Sequence, residues 1–135
     1  MIDGTSVGSA ARRVLVVDDH VDTARSYYEL LTLMGHECVY KTDPTQAVDA
    51  ARQLKPQVAL LDIGLLPGLD GHQLAGLLRA EFGNDIVLVA VTAYGREEDR
   101  ARTRKAGFDA HVTKPIDPSL LESILQLPHF GQRSS

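Results

Sequence analysis

The chain has 135 residues, enough for one domain with a substantial core, and its makeup (44% hydrophobic, 24% charged) is that of an ordinary globular protein. Its net charge of −4 argues against a nucleic-acid-binding surface, and its longest apolar run, residues 86–91, is far too short to span a bilayer. A single cysteine, Cys38, builds neither a disulfide framework nor a cysteine-rich zinc site, which points to a reducing, cytoplasmic setting.

Residues 1–11, MIDGTSVGSAA, lack the apolar stretch of a signal peptide and read as a flexible arm. The first strand is expected at 13–17, RVLVV. A helix over 21–34 follows, with Ala24, Tyr27, Tyr28, Leu31 and Met34 on one face and Gly35 as its stop. Residues 37–41, ECVYK, suit an exposed edge strand, in which Cys38 is a small, unreactive hydrophobe. Asp43-Pro44 opens a helix running to residue 54, with Gln46 placed for a capping box. Residues 58–61, VALL, form the third strand, and 71–82 a helix with Leu74, Leu77 and Leu78 on one side. Residues 86–91, IVLVAV, form the fourth strand. The charged stretch 96–106 packs only alanines and ends at Gly107. A short last strand, 110–113, precedes a helix over 118–126 bearing Leu120, Leu121, Ile124 and Leu125. Residues 128–135 read as a tail, leaving 12–127 as the folded domain.

The strand runs are unbroken and rich in β-branched residues, which suits strands covered on both faces. Strict alternation with helices predicts a (βα)₅ three-layer sandwich around a parallel sheet. In such sheets ligands sit beyond the carboxyl ends of the strands. There the sequence places Asp18 and Asp19 after the first strand, Asp62 after the third, Thr92 after the fourth and Lys114 after the fifth. Each alone reads as a cap, a turn residue or a solvated charge. Together they are three carboxylates, a hydroxyl and an ammonium on one edge. Adjacent carboxylates repel, and a hard divalent cation such as Mg²⁺ is the natural remedy. An aspartate beside a cation, a lysine and a hydroxyl has the parts of a phosphoryl acceptor.

The stretches VLVVDDH, LLDIG, PGLDG, VAVTAYG and AGFDAHVTKPID together resemble the response-regulator receiver domain of two-component signalling, from about Arg12 to Leu127. The resemblance implies a flavodoxin-like sheet of strand order 2-1-3-4-5. It implies that Asp62 takes a phosphoryl group from a histidine kinase or a phosphotransfer protein. Asp19, Asp62 and the backbone carbonyl of Gly64 would bind Mg²⁺, with Asp18 acting through a metal-bound water. Lys114 would pair with the phosphoryl oxygens across a cis Lys114–Pro115 peptide. Thr92 would sense the phosphoryl group, His111 would occupy the switch position, and Tyr94 would tune water access. His111 departs from the commoner Tyr or Phe: it makes the switch titratable near neutral pH, or it is a strand histidine without a switching role.

The family pattern places proline four residues after the acceptor, whereas Pro67 stands five after Asp62. One residue too many predicts a bulge at Leu65–Leu66 with at least one leucine exposed, as a partner contact or as neutral variation. His20, His36, His72 and His129 are scattered and read as surface or capping residues. With only a short tail after Leu127, no DNA-binding module is expected. Output would pass through the face formed by the 96–106 helix, the last strand and the last helix, in a monomer or a weak phosphorylation-dependent dimer. The wording DIG, PGLDGHQLA and TAYG is similar to receivers of hybrid histidine kinases, so the chain is a stand-alone receiver or a piece of such a kinase. A signalling domain is expected rather than an enzyme turning over substrate. An aspartate-nucleophile phosphatase would carry a second aspartate where Gly64 stands. A degenerate, unphosphorylated interaction module is the other alternative, and the retained acidic and basic residues argue against it.

Overall fold

The computed structural model describes residues 11–63, 71–92 and 104–127. Five strands, β1 (Arg13–Val17), β2 (Glu37–Lys41), β3 (Val58–Asp62), β4 (Val87–Thr92) and β5 (Ala110–Thr113), form one parallel sheet in the order β2-β1-β3-β4-β5. This is the flavodoxin-like architecture, with β2 on one edge as expected. The helices are α1 (Val21–Leu33), α2 (Ala47–Leu54), α3 (Gly71–Phe82) and α4 (Pro118–Leu125).

Alternation along the strands divides the core in two. Val14, Val16, Leu60 and Val89 face α1 and α4, where they meet Leu31, Leu121 and Leu125. Leu15, Val17, Leu61 and Leu88 face α2 and α3, where they meet Ala51, Leu74 and Leu78. Each fully buried leucine contributes about 1.5–3 kcal/mol through removal from water. Periodicity overstates two helix faces: Leu77 and Leu120 are each about half exposed.

Local signals act at the helix ends. Asp117 accepts from the Ser119 and Leu120 amides at 3.0 and 3.2 Å, and Pro118 follows at the first helical position. Asp43 accepts from the amide and hydroxyl of Thr45 at 2.9 and 2.7 Å. The predicted 44–54 helix opens as a tight 3₁₀ turn over Pro44–Gln46 before the α-helix begins. Gly35, at φ +95°, closes α1 in the left-handed region, and the amide of His36 returns to the Leu31 carbonyl at 3.0 Å. Of the charged stretch 96–106, residues 96–103 lie outside the described residues, and 104–106 are helical and stop at Gly107.

The amino ends of the strands are fastened by polar groups. Arg79 on α3 donates to the Gly83 and Ile86 carbonyls through Nη1 and to the Gly107 carbonyl and Asp109 Oδ2 through Nη2. Asp109 Oδ2 also accepts from the Leu88 amide at 2.8 Å. His36, expected on the surface, is buried instead. Its Nδ1 accepts from the Arg12 amide at 2.9 Å, so the proton sits on Nε2, which faces Glu122 Oε1 of α4 at 3.0 Å. A half-buried His72 likewise departs from a surface reading: its ring meets Phe108 edge-on, with centroids 6.2 Å apart.

Candidate functional site at the carboxyl edge

The sheet brings the predicted residues together because its register leaves them little choice. Asp62 and Thr92 are the last residues of β3 and β4, and both are buried. Asp62 pairs with Val91, and Thr92 pairs with Thr113. The Lys114 amide donates to the Thr92 carbonyl at 2.8 Å, which carries the ladder one residue beyond β5. The Lys114–Pro115 peptide is cis. Asp18 follows β1 directly, and its amide bonds to the Lys41 carbonyl at 3.1 Å.

Asp18 is 2% exposed, and its two oxygens are divided. Oδ2 takes the Lys114 ammonium at 2.8 Å. Oδ1 takes the backbone amide of His20 at 2.9 Å and lies 3.3 Å from the ring Nδ1 of the same residue. That Nδ1 is also 3.1 Å from Asp19 Oδ1. Lys114 Nζ stands 3.5 Å from Asp62 Oδ2, so the ammonium lies between the two buried carboxylates. His20 is exposed and caps α1, as expected, and it also belongs to the acidic cluster. Its position directly after Asp18-Asp19 was the sequence signal for it.

Burial opposes the charge on Lys114, but the hydrogen bond and charge of Asp18, with Asp62 behind, outweigh it and hold its pKa above the usual lysine value. Tyr27 of α1 belongs to the same neighbourhood. Burial pushes its phenol up, against the opposing effects of Lys114 and the Ile116 backbone, and Asp18 and Asp62 add to the rise.

One ligand atom from each of Asp18, Asp19, His20 and Asp62 lies within 4.8 Å of the others. Opposite ligands of an octahedral Mg²⁺ stand about 4.2 Å apart, so a small contraction fits this donor set to a divalent ion. Three hard carboxylates with a single ammonium between them among the described residues leave negative charge uncompensated, which is what such an ion neutralises. His111 is half-buried in β5, paired with Ala90 on the sheet face shared with α2 and α3. Gly64, Tyr94, His129 and the Leu65–Leu66 bulge fall outside the described residues. Gly71, the first residue of α3, passes so close to the acidic strand end that a Cβ there would stand 2.7 Å from the Asp62 carbonyl oxygen.

A parallel five-stranded sheet of this order, with acidic residues and a lysine at its carboxyl edge, defines a receiver-type signalling domain. Residues 14–126 match the description of the response regulator receiver domain, and the chain belongs to that family. It is 38% identical over 112 residues to the phosphate regulon transcriptional regulatory protein PhoB of Klebsiella pneumoniae, covering 82% of this chain and 48% of PhoB. The chain therefore spans about half the length of that relative. A 14.6 kDa protein of Leptolyngbya boryana is 32% identical and is covered over 86% of its length, against 84% of this chain. Among solved structures, the receiver domain of sensor histidine kinase PA1611 from Pseudomonas aeruginosa, with a magnesium ion coordinated in its active-site cleft, is 30% identical. It superposes with a TM-score of 0.76 over 87% of this chain and 96% of its own. The chemotaxis protein CheY4 of Vibrio cholerae, at 22% identity and a TM-score of 0.78 over 87% of this chain and 98% of its own, shares the fold.

Receiver domains interact with histidine kinases or phosphotransfer proteins and generally bind Mg²⁺ at their acidic cluster. No helix among the described residues is long and apolar enough to cross a membrane.

Proposed function

We propose that Asp62 accepts a phosphoryl group from the phosphohistidine of a kinase or phosphotransfer protein. The observation that carries this reading is the buried Asp62 carboxylate with the Lys114 ammonium 3.5 Å away, inside a cluster of further carboxylates. One Asp62 oxygen attacks phosphorus, the P–N bond breaks, and the imidazole leaves with its electron pair. Asp19 and Asp62 would hold a Mg²⁺ with the backbone carbonyl of Gly64, and Asp18 would act through a water. The bound ion supplies positive charge to the phosphoryl oxygens. Lys114, tethered by Asp18, swings its ammonium onto the same oxygens, and the Thr92 hydroxyl donates to them.

Phosphorylation turns the Asp62 carboxylate into an acyl phosphate of about −2 charge, a net gain of about −1, and brings new acceptor oxygens to this edge. Thr92 moves toward them and His111 turns into the space it leaves, which alters the face made by residues 96–106, β5 and α4. Tyr94 tunes the access of water to the acyl phosphate. The likeness to a sensor-kinase receiver supports a place in the kinase-associated group, with the chain acting alone or within a hybrid histidine kinase.

The test is incubation with acetyl phosphate and Mg²⁺ followed by intact-mass spectrometry. The expected result is a gain of one phosphoryl group that EDTA and Asp62→Asn each abolish. An unmodified chain at saturating Mg²⁺ would overturn the reading in favour of an unphosphorylated interaction module. Continuous release of phosphate from small phosphate esters would favour a phosphatase.

A further inference from the structure

We propose that His20 is a cation ligand, and that it converts an all-oxygen site into a mixed nitrogen–oxygen site selecting first-row transition ions over Mg²⁺. The inference rests on the reading of Asp19 and Asp62 as cation ligands, and it concerns which ion they hold.

The geometry sets the imidazole where an adjacent ligand belongs. Neighbouring ligands on an octahedral ion stand about 3 Å apart. His20 Nδ1 lies 3.1 Å from Asp19 Oδ1 and 3.3 Å from Asp18 Oδ1, and four donors of two chemical types fall within 4.8 Å of one another. The residue is held by its own backbone: its amide bonds to Asp18 Oδ1 at 2.9 Å, and its carbonyl accepts from the Ala24 amide at 2.9 Å as α1 begins. The ring needs no rearrangement of the core to meet an ion, because its side chain is 70% exposed at the mouth of the cluster. Lys114 does not occupy the same position. It sits on Asp18 Oδ2, whereas His20 sits on Oδ1, so ammonium and imidazole flank the carboxylate from different sides.

The chemistry of the donors then decides between ions. Mg²⁺ favours oxygen and retains its waters, so an imidazole nitrogen adds little to its affinity. For Mn²⁺, Co²⁺ and Ni²⁺ the affinity of a site containing imidazole rises in that order. A site with three carboxylates alone discriminates weakly among them. With His20 included, the preference over Mg²⁺ widens along the series.

Calorimetric titration of the full chain with Mg²⁺, Mn²⁺ and Ni²⁺ at pH 8 tests the assignment, with wild type compared to His20→Ala and Asp19→Asn. Nuclear magnetic resonance with Co²⁺ locates the bound ion. In wild type, Co²⁺ should broaden the signals of residues 18–20 and 62 first. The Ni²⁺-to-Mg²⁺ affinity ratio should fall by about tenfold or more in His20→Ala. A ratio unchanged within twofold would overturn the role of His20 and leave the cation reading of Asp19 and Asp62 intact. Wild-type binding of both ions by Asp19→Asn would instead place the cation elsewhere and overturn both readings. Because His20 is exposed, loss of its ring leaves the core untouched, and a matching circular dichroism spectrum checks this.

Discussion

At the amino ends of β4 and β5, Arg79 is matched by carbonyls and by Asp109, and every one of those groups closes a loop onto the sheet. At the carboxyl ends, Asp18 and Asp62 share the ammonium of Lys114, while Asp19 stands beside the His20 ring. Both edges bury charge, and they do opposite things with it. A satisfied guanidinium holds the strands in place. An acidic surplus raises the energy of the ion-free chain and is relieved when a cation neutralises it. The teaching of the contrast is that buried charge stabilises where opposite charges balance, as Arg79 and Asp109 do.

Substitutions that remove charge at the two edges should therefore move stability in opposite directions. The largest effect is expected for Arg79→Met, which leaves Asp109 buried without its guanidinium. Urea denaturation should show a loss of about 3–5 kcal/mol; a loss below about 1 kcal/mol would mean that the quiet edge is no better matched than the acidic one. Gly71→Ala comes next. Its new Cβ would meet the Asp62 carbonyl oxygen at 2.7 Å and the Ile63 Cα at 2.9 Å, and neither is the end of a flexible side chain. A loss of about 1–3 kcal/mol in thermal unfolding is expected, together with slower modification by acetyl phosphate because Asp62 is displaced.

At the acidic edge the sign reverses. Asp19→Asn should stabilise the chain in EDTA by up to about 1 kcal/mol while weakening cation binding. A destabilised variant would show that the three carboxylates are already compensated without an ion.

A dependence on alkaline pH is expected as well. Burial pushes the Cys38 thiol up to about 12 from 9.0, so its contribution to stability is intact below pH 9 and is lost as pH rises toward 12. The Lys114 ammonium, also raised, contributes stability that is intact below its ordinary value of 10.5 and is lost above it. Stability measured between pH 8 and 11 should fall first through Cys38. Cys38→Ala should lose the early part of the decline, and Lys114→Met the late part. Coincident curves for the two variants would show that neither group governs the limb.

The acidic edge was legible in the sequence because each of its residues ends a short apolar run, and in a buried parallel sheet such a run can only be a strand. Asp18, Asp62, Thr92 and Lys114 therefore fell on one edge as soon as the strands were found. Strand order needed the family resemblance, because alternation of strands and helices fixes handedness without fixing sequence order across the sheet. The quiet edge was hidden for a different reason. Arg79 and Asp109 stand 30 residues apart, and His36 and Glu122 stand 86 apart. No local pattern links them, and a histidine after a helix-ending glycine looks like part of an exposed turn. His20 lay between the two cases: it was adjacent to the acidic pair, yet as a helix cap it had a sufficient ordinary explanation. The half-exposed Leu77 and Leu120 show the limit of periodicity, which identifies a face without saying how far its neighbours extend over it.

The amide of Ile63 donates to the carbonyl of Val91 at 3.0 Å, one residue beyond the end of β3. That bond separates two kinds of freedom. Upstream of it, the spacing of Asp62 from its neighbours is quantised by the ladder and cannot drift by a fraction of a residue. Downstream, among the described residues, no ladder bond fixes the length of chain between Ile63 and Gly71. Pro67, five residues after Asp62, follows on that side in the sequence. The length of that segment could thus vary over the lineage of this protein while the Asp62 carboxylate kept its place in the ladder.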